Sequence, residues 1–292
     1  MQGKIVLITG ANAGIGKATA LALAKKGATV VLACRTQEKG DQTKAEFLKT
    51  LKQADVHAIE CDLASLESIG NAARQFLQSF QHLDVLINNA GLFTSNRKRT
   101  ADGFEMQFGV NYLGHFLLTK AVLPALQKVK APRVINVSSI AHHHAHLQLD
   151  QLKDGPNPYN GLQAYAQSKL ANVLFTRELI RKYPSIISHS LHPGVVRTQF
   201  GNKHSKWYLS LFWHFWKMFM VSSQKGAATS IYLASSDELP EENGLFFDEK
   251  QRIRTAAAAA SNDILAKQLW ELSEQLIAEA SAKKDQSQLK DG

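Results

Sequence analysis

The chain alternates short unbroken apolar runs with longer stretches in which apolar residues recur at helical spacing. Runs such as Ile5-Val6-Leu7-Ile8 read as strands buried on both faces, and the segment after Gly16 reads as an amphipathic helix. Strands are predicted near 4–9, 28–34, 55–60, 83–88, 132–138, 186–192 and 244–247. Helices are predicted near 14–26, 37–53, 65–80, 101–128, 163–182, 223–236 and 263–280. Such alternation predicts an α/β fold: a Rossmann-type, doubly wound, seven-stranded parallel sheet covered on both faces, with its ligand at the carboxyl ends of the strands. No repeat of solenoid length is visible.

Two stretches break the pattern. Residues 140–162 carry His142, His143, His144 and His146, then Gly155, Pro156, Pro158 and Gly161, which is a loop composition. Residues 203–220 are dense in aromatics, among them Trp207, Trp213 and Trp216. The expectation is one domain over 1–280, with a lid insertion about 199–222, and a polar, disordered tail over 281–292.

Composition narrows the class without naming a chemistry. Of the 292 residues 45% are apolar and 20% charged, enough to build a sizeable core. No run of about 20 apolar residues exists, so a spanning helix is not expected. The chain opens almost directly into its first strand, and its two cysteines, Cys34 and Cys61, suit a reducing compartment. A cytoplasmic protein is expected. The net charge of +9 could favour nucleic acid, anionic membrane or anionic small molecules, but no nucleic-acid motif accompanies it.

Candidate chemistry begins at the first turn, Gly10-Ala11-Asn12-Ala13-Gly14-Ile15-Gly16. Between a strand and a helix, three glycines supply a tight turn, close approach of backbone to a pyrophosphate, and close helix–sheet packing. The helix N-terminus then offers free N–H groups to the phosphates. At the end of the second strand, an acid reading a ribose 2′-hydroxyl would stand where this chain has Arg35. A guanidinium there would grip a 2′-phosphate, so NADP(H) is expected over NAD(H); a solvated surface arginine is the plainer reading. Further on, Tyr165 and Lys169 lie four residues apart on a predicted helix and so share a face. A neighbouring ammonium favours the phenolate, which would bring Tyr165 toward proton exchange with a carbonyl or alcohol oxygen.

With these residues in view, the chain resembles the short-chain dehydrogenase/reductase family, and within it retinol dehydrogenases. The resemblance rests on the glycine turn with Thr9, Cys61-Asp62-Leu63, Asn88-Asn89-Ala90-Gly91, Asn111 to Phe116 with Gly114, Val137-Ser138-Ser139, Tyr165 with Lys169, and His192-Pro193-Gly194, in the family's order. It covers about the first two-thirds of the chain. It implies Tyr165 as general acid or base, Ser139 holding the substrate oxygen with Ser138 as runner-up, and Lys169 tuning Tyr165 and bonding the nicotinamide ribose. It also implies that the backbone and side chain of Asn111 hold a water linking Lys169 to solvent; a helix kink is the plainer reading there. Asp62 and Leu63 are expected at the adenine, although Asp62 could instead cap the helix near Leu66. Asn89, Ala90 and Gly91 are expected along the cofactor, and Val196 and Thr198 at its carboxamide. The segment between Ser139 and Tyr165 is longer than in many members, as in retinol dehydrogenases.

The remaining features stay open. The histidine tract is read as a loop at the mouth of the substrate cleft rather than a metal site, since no acid or cysteine nearby completes a ligand set. The aromatic segment 203–220 could be a core helix, a lid over an apolar substrate, or a peripheral membrane contact; the lid is favoured. Asn136-Val137-Ser138 forms a glycosylation sequon, weak inside a predicted strand. The expected activity is NADP(H)-dependent interconversion of a hydrophobic aldehyde or ketone and its alcohol. The partner is then a small molecule, with a homo-oligomer open. A catalytically silent NADP(H)-binding regulator is the rival from another class; epimerisation or double-bond reduction is the rival within enzymes.

Overall fold

In the computed structural model, residues 1–194 and 222–291 are described. The strands are β1 (Ile5–Thr9), β2 (Thr29–Cys34), β3 (Val56–Glu60), β4 (Val85–Asn88), β5 (Arg133–Val137), β6 (Ile187–Leu191), β7 (Phe246–Phe247) and β8 (Ile253–Arg254). They form one sheet in the order β3-β2-β1-β4-β5-β6-β7-β8, parallel from β3 to β7. The order reverses between β1 and β4, and crevices at such switch points are where doubly wound sheets bind ligands.

Both faces of the sheet are covered, as the unbroken apolar strands require. Val6, Ile8, Val30 and Leu32 point to one core, shared with α1 (Gly14–Lys25), α2 (Gln37–Thr50) and α6 (Ser223–Ser235). Their neighbours Leu7 and Val31 point to the other core. That core is closed by α3 (Leu66–Ser79), α4 (Gly114–Leu126), α5 (Gly161–Lys182) and α7 (Asp263–Asp291). Period-two alternation along each strand thus fills two layers at once. Burying a leucine or phenylalanine fully contributes about 1.5–3 kcal/mol, and Phe76, Phe116 and Leu174 are wholly buried here.

The predicted elements recur, most with shortened ends, and three differences have physical causes. An eighth strand, β8, runs antiparallel to β7. Its two residues are exposed, so no hydrophobic pattern marks it. The hairpin is held by a carboxylate instead. Asp248 accepts the N–H groups of Lys250 and Arg252 at 2.8 and 3.0 Å, and the Nε groups of Arg252 and Arg254 at 2.8 Å.

The helix expected from 101 begins only at Met106, one turn before a π-type turn over Gly109–Leu113. Residues 99–105 instead make a tight reversal closed by an Arg99–Glu105 bridge. The polar tail, expected to be disordered from 281, continues α7 to Asp291. Trp270, Leu269 and Leu276 bury one face of α7 and nucleate it. Once nucleated, a helix extends cheaply through alanine, lysine and glutamine. Lys284 pairs with Glu67 of α3 along that extension. The lid region about 199–222 falls almost wholly outside the described residues.

Candidate active site

The glycine turn makes distinct demands on its residues. Gly10 and Gly14 have φ of 64° and 55°, a region that side chains disfavour. A Cβ on Gly16 would lie 2.5 Å from the carbonyl oxygen of Gly10. Ala13 stands at the N-cap of α1 and offers no side-chain cap, and the first turn holds no acid. The free N–H groups and the positive end of the helix dipole are left for an anion, which fits a pyrophosphate.

The floor beside the turn is knitted to it. Asn89 Nδ2 donates to the Thr9 carbonyl at 2.8 Å, and the N–H groups of Asn89 and Ala90 donate to Thr9 Oγ1 at 2.9 and 3.0 Å. Leu63 is buried, and Asp62 Oδ1 accepts the Ala64 N–H at 3.0 Å in an Asx-type turn. The capping reading of Asp62 is therefore corrected: Ser65 caps α3, accepting the Ser68 N–H at 3.2 Å. Arg35 is exposed at the end of β2, and no carboxylate among the described residues pairs with it. Next to it, Cys34 is buried, and burial pushes its thiol up to about 11.

The two serines at the end of β5 divide as a strand requires. Ser138 is buried and its hydroxyl donates to the Lys169 carbonyl at 2.7 Å. Ser139 faces the other way and hydrogen-bonds with Tyr165. Tyr165 also meets Phe93 edge-on, with 5.9 Å between ring centroids. Lys169 is fully enclosed; its Nζ lies 5.7 Å from the Tyr165 ring centroid and donates to the Val137 carbonyl at 3.0 Å. Asn172 Nδ2 shares that carbonyl at 3.2 Å. The backbone of Gly91 comes up against this group, for a Cβ there would lie 3.2 Å from Lys169 Nζ and 3.4 Å from Asn111 Oδ1.

Burial governs both titrating groups of the site. It raises Tyr165 above the ordinary phenol value, and the Ser139 hydrogen bond pulls the other way. Lys169 itself is pushed down to about 8 by burial. Asn111 sits in the π-type turn, so the kink is present. Its amide is committed, donating to the Leu92 carbonyl and Ser168 Oγ at 3.0 Å each and accepting the Leu92 N–H at 2.8 Å. Both amide hydrogens are used, so the side chain braces the loop at Leu92.

This glycine turn beside a joined serine, tyrosine and lysine agrees with what the chain is similar to. Residues 4–209 match the model of the short chain dehydrogenase family. Human retinol dehydrogenase 11 is 42% identical over 279 residues, 95% of this chain and 86% of that one. Human retinol dehydrogenase 13 is 41% identical over 287 residues, 95% of this chain and 85% of that one. A solved protein from Mycobacterium Paratuberculosis superposes with a TM-score of 0.75 at 34% identity, covering 95% of this chain and 94% of that one. The chain belongs to the short-chain dehydrogenase family. It is an oxidoreductase of carbonyl–alcohol interconversion built to take a nicotinamide cofactor and a small-molecule substrate.

In this short-chain dehydrogenase the histidine tract is divided by its neighbours. His142 is buried, with Nδ1 donating to the Ser139 carbonyl at 2.6 Å and Nε2 accepting the Ala257 N–H at 3.1 Å. It braces the backbone of Ser139, a role the run of histidines concealed. His143 and His192 line a cavity of about 310 Å³ with Ile140, Phe246, Arg252 and Arg254. No group of three metal-type side chains converges among the described residues. The sequon Asn136 is buried in the sheet, its amide bonded to Asn88 and Thr176, out of reach of glycosylation. No helix among the described residues is long and apolar enough to cross a membrane. Val196 and Thr198 and the aromatic segment 203–220 lie outside the described residues. The sequence motifs contained Thr9 and His115 but gave neither a role. Thr9 directly precedes Gly10, and His115 stands between Gly114 and Phe116, inside stretches already singled out.

Proposed function

We propose that this short-chain dehydrogenase reduces a hydrophobic aldehyde or ketone with NADPH, and oxidises the corresponding alcohol in reverse. The observation that carries the reading is the Ser139–Tyr165 hydrogen bond one helical turn from the buried Lys169. The nicotinamide, when bound, supplies or takes the hydride. The chain's own residues do the rest. The Tyr165 hydroxyl, kept protonated by burial, gives its proton to the carbonyl oxygen. Ser139 Oγ orients that oxygen and stabilises the charge it gathers. Lys169 Nζ keeps two donors beyond its bond to Val137, free for a ribose hydroxyl. The first turn of α1 would hold the pyrophosphate, and the Gly91 backbone, lacking a Cβ, leaves room beside Lys169.

Arg35, exposed at the end of β2 and without a carboxylate partner among the described residues, supports NADP(H) over NAD(H). The apolar substrate is supported by the relatives' activity as retinol dehydrogenases. The test is NADPH oxidation by the purified chain with retinal, decanal and a steroid ketone, against a Tyr165→Phe control. Turnover on an apolar carbonyl that the control abolishes supports the reading. NADPH binding without turnover on any of them would replace it with a silent nucleotide-binding protein.

A further inference from the structure

His115 opens the second half of the kinked helix, fully buried, and no step of the proposed reaction uses it. Its Nε2 lies 2.8 Å from Thr9 Oγ1, and its Nδ1 lies 3.0 Å from the backbone carbonyl oxygen of Asn111. Hydrogen accounting fixes the imidazole. A carbonyl only accepts, so Nδ1 carries a proton. Thr9 Oγ1 already receives two N–H groups, from Asn89 and Ala90, which fill both of its lone pairs. Its single hydrogen must go out, and Nε2 at 2.8 Å is a far better acceptor than the Ile87 carbonyl at 3.4 Å. The ring is therefore neutral and of the Nδ1–H tautomer.

We infer that His115 is a positioning residue that ties the cofactor turn to the active-site kink: one imidazole holds Thr9, and through it Asn89 and Ala90, in register with Asn111. The inference rests on the redox reading above for its consequence, though not for its geometry. Two further observations agree. Burial, with the Lys169 charge beside it, holds the imidazole down to about 4, so it stays neutral at working pH. The π-type turn over Gly109–Leu113 disturbs the regular backbone ladder at the carbonyl that His115 takes up.

The two ends of the imidazole have separable effects. Losing the Thr9 contact loosens the floor under the cofactor and weakens NADPH binding. Losing the Asn111 contact shifts the kink beside Lys169 and lowers kcat. His115→Phe keeps the ring volume and loses both bonds. His115→Asn keeps a short amide able to donate back to the carbonyl four residues earlier, but cannot reach Thr9.

The experiment combines nitrogen-15 histidine NMR of the full chain with NADPH titration and steady-state kinetics of both variants. In the wild-type spectrum, a signal with pyrrole-type Nδ1 and pyridine-type Nε2 that vanishes in His115→Asn is expected; His142 supplies another such signal, which the variant retains. Each lost hydrogen bond is expected to cost about three- to tenfold. For His115→Phe this means weaker NADPH binding and lower kcat together; for His115→Asn, weaker NADPH binding with kcat near wild type. An Nε2–H tautomer at His115, or variants altered only in melting temperature, would overturn the linkage. The tautomer needs no turnover. A chain inactive on every carbonyl, yet carrying the Nδ1–H ring and losing NADPH affinity in both variants, would remove the redox reading and leave the linkage standing.

Discussion

Lys169 and Val137 are joined by a buried hydrogen bond, Nζ to carbonyl oxygen at 3.0 Å, which fixes the end of β5 to the middle of α5. The bond sets the height of Tyr165 against Ser139, because Ser139 follows Val137 by two residues and Tyr165 lies one turn before Lys169. It also carries a cost, since the ammonium is enclosed and burial pushes it down to about 8.

Lys169→Met separates the two effects. The folded pKa lies below the ordinary lysine value, so between about pH 8 and 10.5 the unfolded chain holds a proton that the folded chain lacks. Wild-type stability should therefore rise with pH across that window, by up to about 1.4 kcal/mol per pH unit, and the contribution is lost as pH falls through the folded value. The Met variant should lack that rise while losing about 10²-fold in kcat/KM, as expected for a displaced proton donor. Urea unfolding across that window and NADPH kinetics check both halves; identical slopes for the two proteins would contradict the buried-charge account.

Tyr165 sets the pH behaviour of turnover. Its pKa is raised by burial and only partly restored by Ser139, so the phenol is protonated throughout the neutral range. Reduction, which needs the proton, should hold level between about pH 6 and 8, while alcohol oxidation should climb over the same span. Tyr165→Phe should cost about 10²–10⁴-fold in either direction. Rate profiles of the two directions decide it; a reduction rate that drops steeply across neutral pH would place the phenol pKa lower than its surroundings imply.

The legible and illegible parts of this molecule differ in kind. Strands such as β1 and β2 carry unbroken apolar runs, and their burial on both faces follows from that. Gly10, Gly14 and Gly16 were legible because the turn demands residues without a Cβ. The hairpin at Asp248 was not, because a carboxylate gathering backbone and arginine N–H groups leaves no periodic trace. Nor was the end of α7, whose helicity comes from Trp270 and its buried neighbours rather than from the polar residues past 281. At the site, sequence spacing joined Tyr165 to Lys169, but which of Ser138 and Ser139 meets the phenol depends on strand direction, and the acidifying effect of Lys169 depends on where Nζ turns. His115 and His142 stayed hidden because a histidine's partner is set by tertiary packing.

Cofactor choice should turn on Arg35. Replacing the guanidinium with a carboxylate in Arg35→Asp removes a charge-assisted contact, worth about 1.5–3 kcal/mol, and sets a negative charge against a 2′-phosphate. KM for NADPH should rise about 10- to 100-fold while KM for NADH falls. Parallel KM measurements with both cofactors test this; an unchanged ratio would make Arg35 a bystander.

Gly16→Ala is expected to act through the backbone as well as through the Asn89 side-chain amide, which its Cβ would also meet. Its Cβ would lie 2.5 Å from the Gly10 carbonyl oxygen, so the turn itself must move. Overpacking of this sort costs about 1–3 kcal/mol. Both the melting temperature and NADPH affinity should fall together. A variant of wild-type affinity would show that the turn adapts freely.

Acid should destabilise the fold well before its carboxylates titrate. His115, His142 and His189 are buried, and burial holds each down to about 4. Between about pH 6.5 and 4 the unfolded chain binds protons at these positions that the folded chain refuses. Stability is therefore complete above about 6.5 and falls as pH drops, by up to about 1.4 kcal/mol per pH unit for each histidine. The lowered carboxylates add nothing in the upper part of this window: Asp248 and Asp55 lie below their ordinary value and lose their contribution only at more acid pH. Urea midpoints at pH 7, 6 and 5 should fall steadily, and His189→Gln should fall less steeply. His189 suits this test because it faces Phe247 on the side of the sheet away from Tyr165, so any change in the acid slope there reports protonation of the core and not damage to the active site. Midpoints that stay constant from pH 7 to 5 would mean that these rings accept protons in the folded chain, and with them the hydrogen accounting at His115 would fail.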